Sequence, residues 1–210
     1  MRQVGRETGR PVTFACLQSP EDPDQWQRLL AAVEEDRAAG GTLTPQVAQR
    51  PAGVLFSLES SGHPFILHAA YQGAACLPLA GRAAALREPE LRRAILDNPP
   101  DLTGLPEVFT RALIAWHNMF PLGDPIDYEP GPDKSVLAQA AANGVSPAEF
   151  AYDTLLQNNG KGILYMPLLG YANGDFEVLR EIMLNPHAIF GLSDGGAHCG
   201  LICDASMPSY

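Results

Sequence analysis

Two stretches of this chain run in the same order: an apolar β-forming segment, a capped helix with an apolar face, and a second apolar segment. This repeated passage limits the possible folds more than any other feature. The first begins with RPVTFACLQ (Arg10 to Gln18), introduced by Gly9 and read as a buried strand. Asp22-Pro-Asp-Gln25 then predicts a helix N-cap at Asp22 with proline at the first helical position. Trp26, Leu29, Leu30 and Val33 recur at helical spacing, and Gly40-Gly41 ends the element. TLTPQVA (Thr42 to Ala48) follows directly as a second strand. Strand, helix and strand joined by short connections predict a βαβ unit, and hence a parallel sheet in an α/β fold.

The second passage opens at Ser146-Pro-Ala-Glu149, a capping box with proline at the first helical position. Its helix stops at Asn159-Gly160, and GILYMPLLG (Gly162 to Gly170) is read as the next strand. A helix is expected over Asn173 to Leu184, with Phe176, Leu179, Ile182 and Met183 on one face, closed by Asn185-Pro186. AIFGLSD (Ala188 to Asp194) is the strand after it. Between the passages, from about residue 50 to residue 134, Pro and Gly are frequent, and helices are predicted at Glu88 to Asp97 and Leu105 to Asn118. This region reads as an irregular, partly helical insertion carried by a single domain over residues 1–210.

Composition narrows the function. A formal charge of −10, with 14 Lys and Arg and no basic stripe, argues against a nucleic-acid partner. The polar opening MRQVGRETGR and the lack of a long apolar run predict neither a leader nor a membrane span, so a soluble cytoplasmic protein is expected. The four cysteines (Cys16, Cys76, Cys199 and Cys203) lack the paired spacings of a zinc site, and reduced structural thiols are expected. The chain has no GxSxG nucleophile elbow. NNGKG (Asn158 to Gly162) follows a helix and precedes a strand, the reverse of the order that cradles phosphate.

In parallel sheets covered by helices, ligands gather at the carboxyl ends of the strands. Polar residues expected at those ends are Cys16 and Gln18, then Thr44, Gln46 and Arg50, then Tyr165 and Tyr171, and last Ser193, Asp194 and His198. The last group combines an acid and an imidazole around Gly195-Gly196, where the backbone can turn sharply and a ligand can approach. A carboxylate there can bind a divalent metal or take a proton from water, and His198 can orient, donate or ligate. Equally, Ser193 and Asp194 can cap a turn with His198 packed beside it. His63 and His68 are expected to lie at the surface or pack within the insertion, His117 to pack in the core or at its boundary, and His187 to be inert.

GLSDGGAH (Gly191 to His198) with its continuation CGLICDASMPSY, together with TGRPVTFACLQ, LTPQVAQRP and SGHPF, resembles the amidohydrolase superfamily, and more closely its D-aminoacylase-like branch of N-acyl-D-amino-acid deacylases. The resemblance implies a (β/α)8 barrel that uses zinc or another divalent metal to hydrolyse a non-peptide amide C–N bond in a small N-acyl amino acid. It implies that Asp194 is the catalytic acid-base and a metal ligand, and that His198, in the following turn, contacts substrate or supports the residues that do; Ser193, Gln46 and Arg50, at the strand ends, are expected to contact substrate, with Cys16 or Gln46 open as a substitute ligand or a substrate contact. The departures are also specific. No HxH pair occurs, and no histidine stands near Ala15 to Gln18 or Thr44 to Gln46. A whole barrel takes about 250 residues, so the expectation is a partial barrel, roughly strands five to eight, inactive alone and self-associating through open sheet edges. A different class also fits these departures: a non-catalytic α/β binding or assembly module that has lost its metal site.

Overall fold

The computed structural model describes residues 1–104, 106–191 and 200, leaving aside the side chains of Val108 and Phe109. In chain order the described residues form α1 (Arg2–Thr8), β1 (Val12–Ala15), α2 (Gln25–Ala38), β2 (Leu43–Val47), β3 (Ala52–Phe56), α3 (Gln72–Ala75), α4 (Leu79–Arg87), α5 (Pro89–Leu96) and α6 (Glu107–Leu113). There follow β4 (Phe120–Pro121), α7 (Val136–Asn143), α8 (Pro147–Leu155), α9 (Gln157–Gly160), β5 (Leu164–Leu169), α10 (Glu177–Leu184) and β6 (Ile189–Phe190). Three single 3-10 turns, Ala69–Tyr71, Trp116–Asn118 and Pro132–Lys134, lie among them. The fold is mixed α/β with two small three-stranded sheets among the described residues. No helix among them is long and apolar enough to cross a membrane.

The chain divides into two compact units. One holds Met1–Gly53 and the described residues from Pro167 on; the other holds Val54–Met166. In the first unit the expected βαβ passage forms a parallel sheet in the order β1-β2-β6, with Ala15 opposite Gln46 and Gln46 opposite Ile189. Its core joins Cys16, Trp26 and Val47 to Val178, Leu179 and Ile182 of α10, all under a tenth exposed. The helix α2 begins at Gln25 rather than at the expected cap, because the Asp22 carbonyl accepts the Gln25 N–H and the Asp22 carboxylate pairs with Arg28. At its other end α2 delivers the chain into β2 through the buried Asp36, whose Oδ2 accepts the Leu43 N–H at 3.0 Å. Gly41 has to be a glycine here, since a Cβ would overlap the Asp36 carboxylate.

The second unit contains most of the stretch read as an irregular insertion. The predicted helices at 88–97 and 105–118 appear as α5 and as α6 followed by the Trp116–Asn118 turn, while α4 and α7 were not anticipated. Here β5 lies between β3 and β4 and runs antiparallel to β4, with Phe120 opposite Tyr165. Thus β6 stands directly beside β2, and β5 belongs to the other sheet. Tyr152 of α8 organises the helices: its hydroxyl donates to the Leu86 carbonyl at 2.7 Å, and its ring meets Phe65 edge-on at 5.1 Å. The Arg92 guanidinium lies over that ring and reaches Glu149 and Asp153 at 2.9 Å each.

The capping box that opens α8 forms as the sequence predicts, with Ser146 Oγ accepting the Glu149 N–H at 3.1 Å. Ser146→Ala leaves that amide without its partner, and a loss of about 1 kcal/mol is expected in a urea titration. An unchanged midpoint would show that water caps the helix equally well.

Candidate functional site

The parallel pairing of β1, β2 and β6 brings their carboxyl ends to one edge of the first sheet. The ladder continues past the strands: the Cys16 N–H donates to the Gln46 carbonyl at 2.8 Å, and the Gly191 N–H to the Val47 carbonyl at 3.3 Å. Gly191 therefore lies beside Val47, and Ser193, Asp194 and His198 follow it in sequence. Those three residues, with Cys199 and Cys203, lie outside the described residues.

Of the strand-end groups that are described, Gln46 is half-buried on β2, and its amide lies 3.9 Å from where a side chain on Gly191 would begin. Arg50, half-buried, follows three residues after the end of β2. Thr44 stands one residue into β2, where its hydroxyl receives an Arg37 N–H at 2.8 Å. Tyr165 sits inside β5 and is 1% exposed, so it belongs to the core of the second unit. Tyr171, in the loop after β5, packs edge-on against Phe176 at 5.8 Å.

Cys16 and Gln18, which follow β1, are both occupied structurally. Cys16 is fully buried in the apolar cluster, and burial pushes its thiol up to about 11, so it stays protonated and unreactive at neutral pH. Gln18 is 1% exposed and holds the β5–α10 loop. Its Oε1 accepts the Ala172 N–H at 2.9 Å, its Nε2 donates to Asn173 Oδ1 at 3.1 Å, and its carbonyl accepts the Gly170 N–H at 2.8 Å. Gly170 makes the turn with φ +82°, and a Cβ there would press on the Leu179 side chain. The expected helix from Asn173 consequently starts only at Glu177, after the Asp175 carboxylate has accepted the Glu177 N–H. Asn173 is the partner of Gln18 that the sequence did not reveal, because the two lie 155 positions apart.

Of the other four histidines, His63 and His68 are buried. His63 is 1% exposed; its Nδ1 accepts the Phe65 N–H at 3.2 Å and its Nε2 is buried without a partner. It packs edge-on with Tyr71 at 4.7 Å, and burial, reinforced by the charges of Arg82 and His68, lowers its pKa to about 3. Burial likewise lowers the pKa of His68, against the pull of the Ile95 and Asn98 carbonyls. His117 is exposed in its 3-10 turn rather than packed, because α6 ends at Leu113 and the predicted apolar face does not continue through it. His187 lies 3.6 Å from Glu34.

No three His, Cys, Asp or Glu among the described residues come together to hold a metal ion. At the strand edge, a buried protonated thiol and a fully engaged carboxamide do not make a ligand set. Comparison with protein-family models, with curated proteins and with solved structures gives no match.

Proposed function

We propose that this chain contributes to a hydrolase for the non-peptide amide C–N bond of a small N-acyl amino acid, on part of a (β/α)8 barrel. The observation that carries the proposal is the shared carboxyl edge of β1, β2 and β6, from which the GLSDGGAH segment departs at Gly191. In this reading Asp194 takes a proton from water as its oxygen adds to the acyl carbonyl carbon. The C–N bond then breaks and the same carboxyl group passes the proton to the leaving amine nitrogen. Ser193 and His198 contact the substrate, and Gln46 and Arg50 hold its oxygens. The zinc or other divalent ion implied by the resemblance finds no donor set among the described residues, and in this reading Asp194, with His198 four residues on, would be its ligands in this chain.

The reading is tested by assaying N-acetyl-D-amino acid hydrolysis in the chain expressed with its encoded neighbours, as wild type and as Asp194→Asn. The variant is expected to lose about a hundredfold to ten-thousandfold in turnover with an unchanged circular dichroism spectrum. Equal turnover in the two proteins, or none in either, would overturn the proposal. In the second case the non-catalytic binding or assembly module becomes the better account. The commitment of Cys16 and Gln18 to packing is the observation that favours it.

A further inference from the structure

The orientation of two carboxamides can be deduced from chemistry alone. A backbone N–H can only donate, so the end of Gln18 that meets the Ala172 amide is its oxygen. Its other end is then the NH2 group, which can only donate, so the atom of Asn173 facing it is the oxygen Oδ1. Asn173 is exposed, and its own NH2 group is consequently the end turned away from Gln18. Gln18 is 1% exposed and the loop is also tied through Gly170, so this polarity is fixed by a buried group rather than chosen by the solvent.

Building on the hydrolase reading, we infer that Gln18 is a positioning residue and that Asn173 is a substrate-binding donor, presenting its NH2 to an acceptor oxygen of a small N-acylated acid. The loop that carries Asn173 hangs on the end of β1, at the edge where β2 and β6 also finish. A donor held in one orientation before the ligand arrives loses little freedom on binding, which is what a recognition group needs. Replacing Gln18 by Glu reverses the polarity. An ionised carboxylate still accepts the Ala172 N–H but has nothing to donate, so Asn173 turns its NH2 inward and offers an oxygen to the solvent.

The test uses the 210-residue chain, N-acetylglycine as probe, and side-chain amide 1H–15N spectra at pH 8, with the Asn173 signal assigned by its loss in Asn173→Ala. In the wild type the Gln18 amide protons should exchange slowly and the Asn173 pair should shift saturably with N-acetylglycine. In Gln18→Glu the Asn173 protons should become the slow ones, and affinity should fall by about tenfold. Asn173→Ala leaves the buried Gln18 NH2 without its partner but removes no packed side chain, so with a circular dichroism spectrum that matches the wild type it should weaken binding by a similar factor, which keeps the test decisive if Gln18→Glu folds poorly. An Asn173 signal unmoved by the probe, or affinity unaffected in Asn173→Ala, would overturn the inference. Binding is read without turnover: binding through Asn173, with no hydrolysis by the chain expressed with its encoded neighbours, refutes the hydrolase reading alone, and an active hydrolase whose Asn173 does not respond refutes this one alone.

Discussion

Between pH 6.5 and pH 3 the protein is expected to lose up to about 5 kcal/mol of folding stability through His63. The imidazole is buried to 1% exposure, and its pKa falls from 6.5 to about 3 because burial opposes its charged form, with the Arg82 and His68 charges adding to that. In the unfolded chain the same group takes up a proton below pH 6.5, so the unfolded state binds more protons throughout this window. Stability is therefore complete above pH 6.5 and declines as the solution is acidified, by about 1.4 kcal/mol per pH unit at the steepest. His68, also lowered by burial, pulls in the same direction. Urea titrations at pH 7, 5 and 4 should show the trend, and His63→Phe, which keeps a ring against Tyr71, should flatten it. A wild-type midpoint constant across that range would contradict the burial of His63 as a neutral group.

Gly162→Ala is expected to cost about 3 kcal/mol or more. A methyl group built on Gly162 overlaps the Thr154 carbonyl oxygen and comes within 2.8 Å of its carbon and 3.1 Å of the Leu155 Cα, all of them backbone atoms in the last turn of α8. The chain has no easy way to yield, because Asn158, Asn159 and Gly160 precede this point with φ of 50°, 61° and 86°, a left-handed turn that already uses the conformations L-residues least prefer. Gly73→Ala, in α3 with open space around it, is the control: it should be neutral or raise stability by up to about 1 kcal/mol. Thermal melts of the two variants separate the steric effect from the general effect of replacing glycine. Similar melting temperatures would mean that the α8–β5 connection is looser than this geometry requires.

How far the fold could be read depended on the sequence distance between partners. The Ser146 cap was legible because donor and acceptor are three residues apart. The first parallel unit was legible because β1, α2 and β2 each carry their own periodicity and the connections are short. In contrast, α4 and α7, with the sequences LAGRAAALR and VLAQAAAN, are rich in alanine and lack a contrast of large apolar and polar faces, so periodicity gave no signal. The start of α10 was misplaced because Asn173 is drawn off by Gln18, a partner 155 residues away. The same separation hid the hydrogen bond between Gln18 and Asn173. Cys16 and Gln18 stood out as strand-end groups, but a list of residue types cannot show that one is enclosed by Trp26, Val47 and Leu179 and the other is fully hydrogen-bonded.

The interleaving of the two units also bears on how the polypeptide is made. The first unit needs β6 and α10, yet 113 residues, 54–166, separate its opening segment from its closing one. At cellular synthesis rates of about 5–20 residues per second, that interval lasts about 6–23 s. Throughout it, β1, α2 and β2 are already made, while Val178, Leu179 and Ile182, which cover Trp26 and Val47 in the finished core, are not. The intervening unit is contiguous in sequence and can condense as it emerges. The nascent amino-terminal segment has no such option, and during that delay it is the part of the chain most exposed to chaperone capture, proteolysis or pairing with another copy.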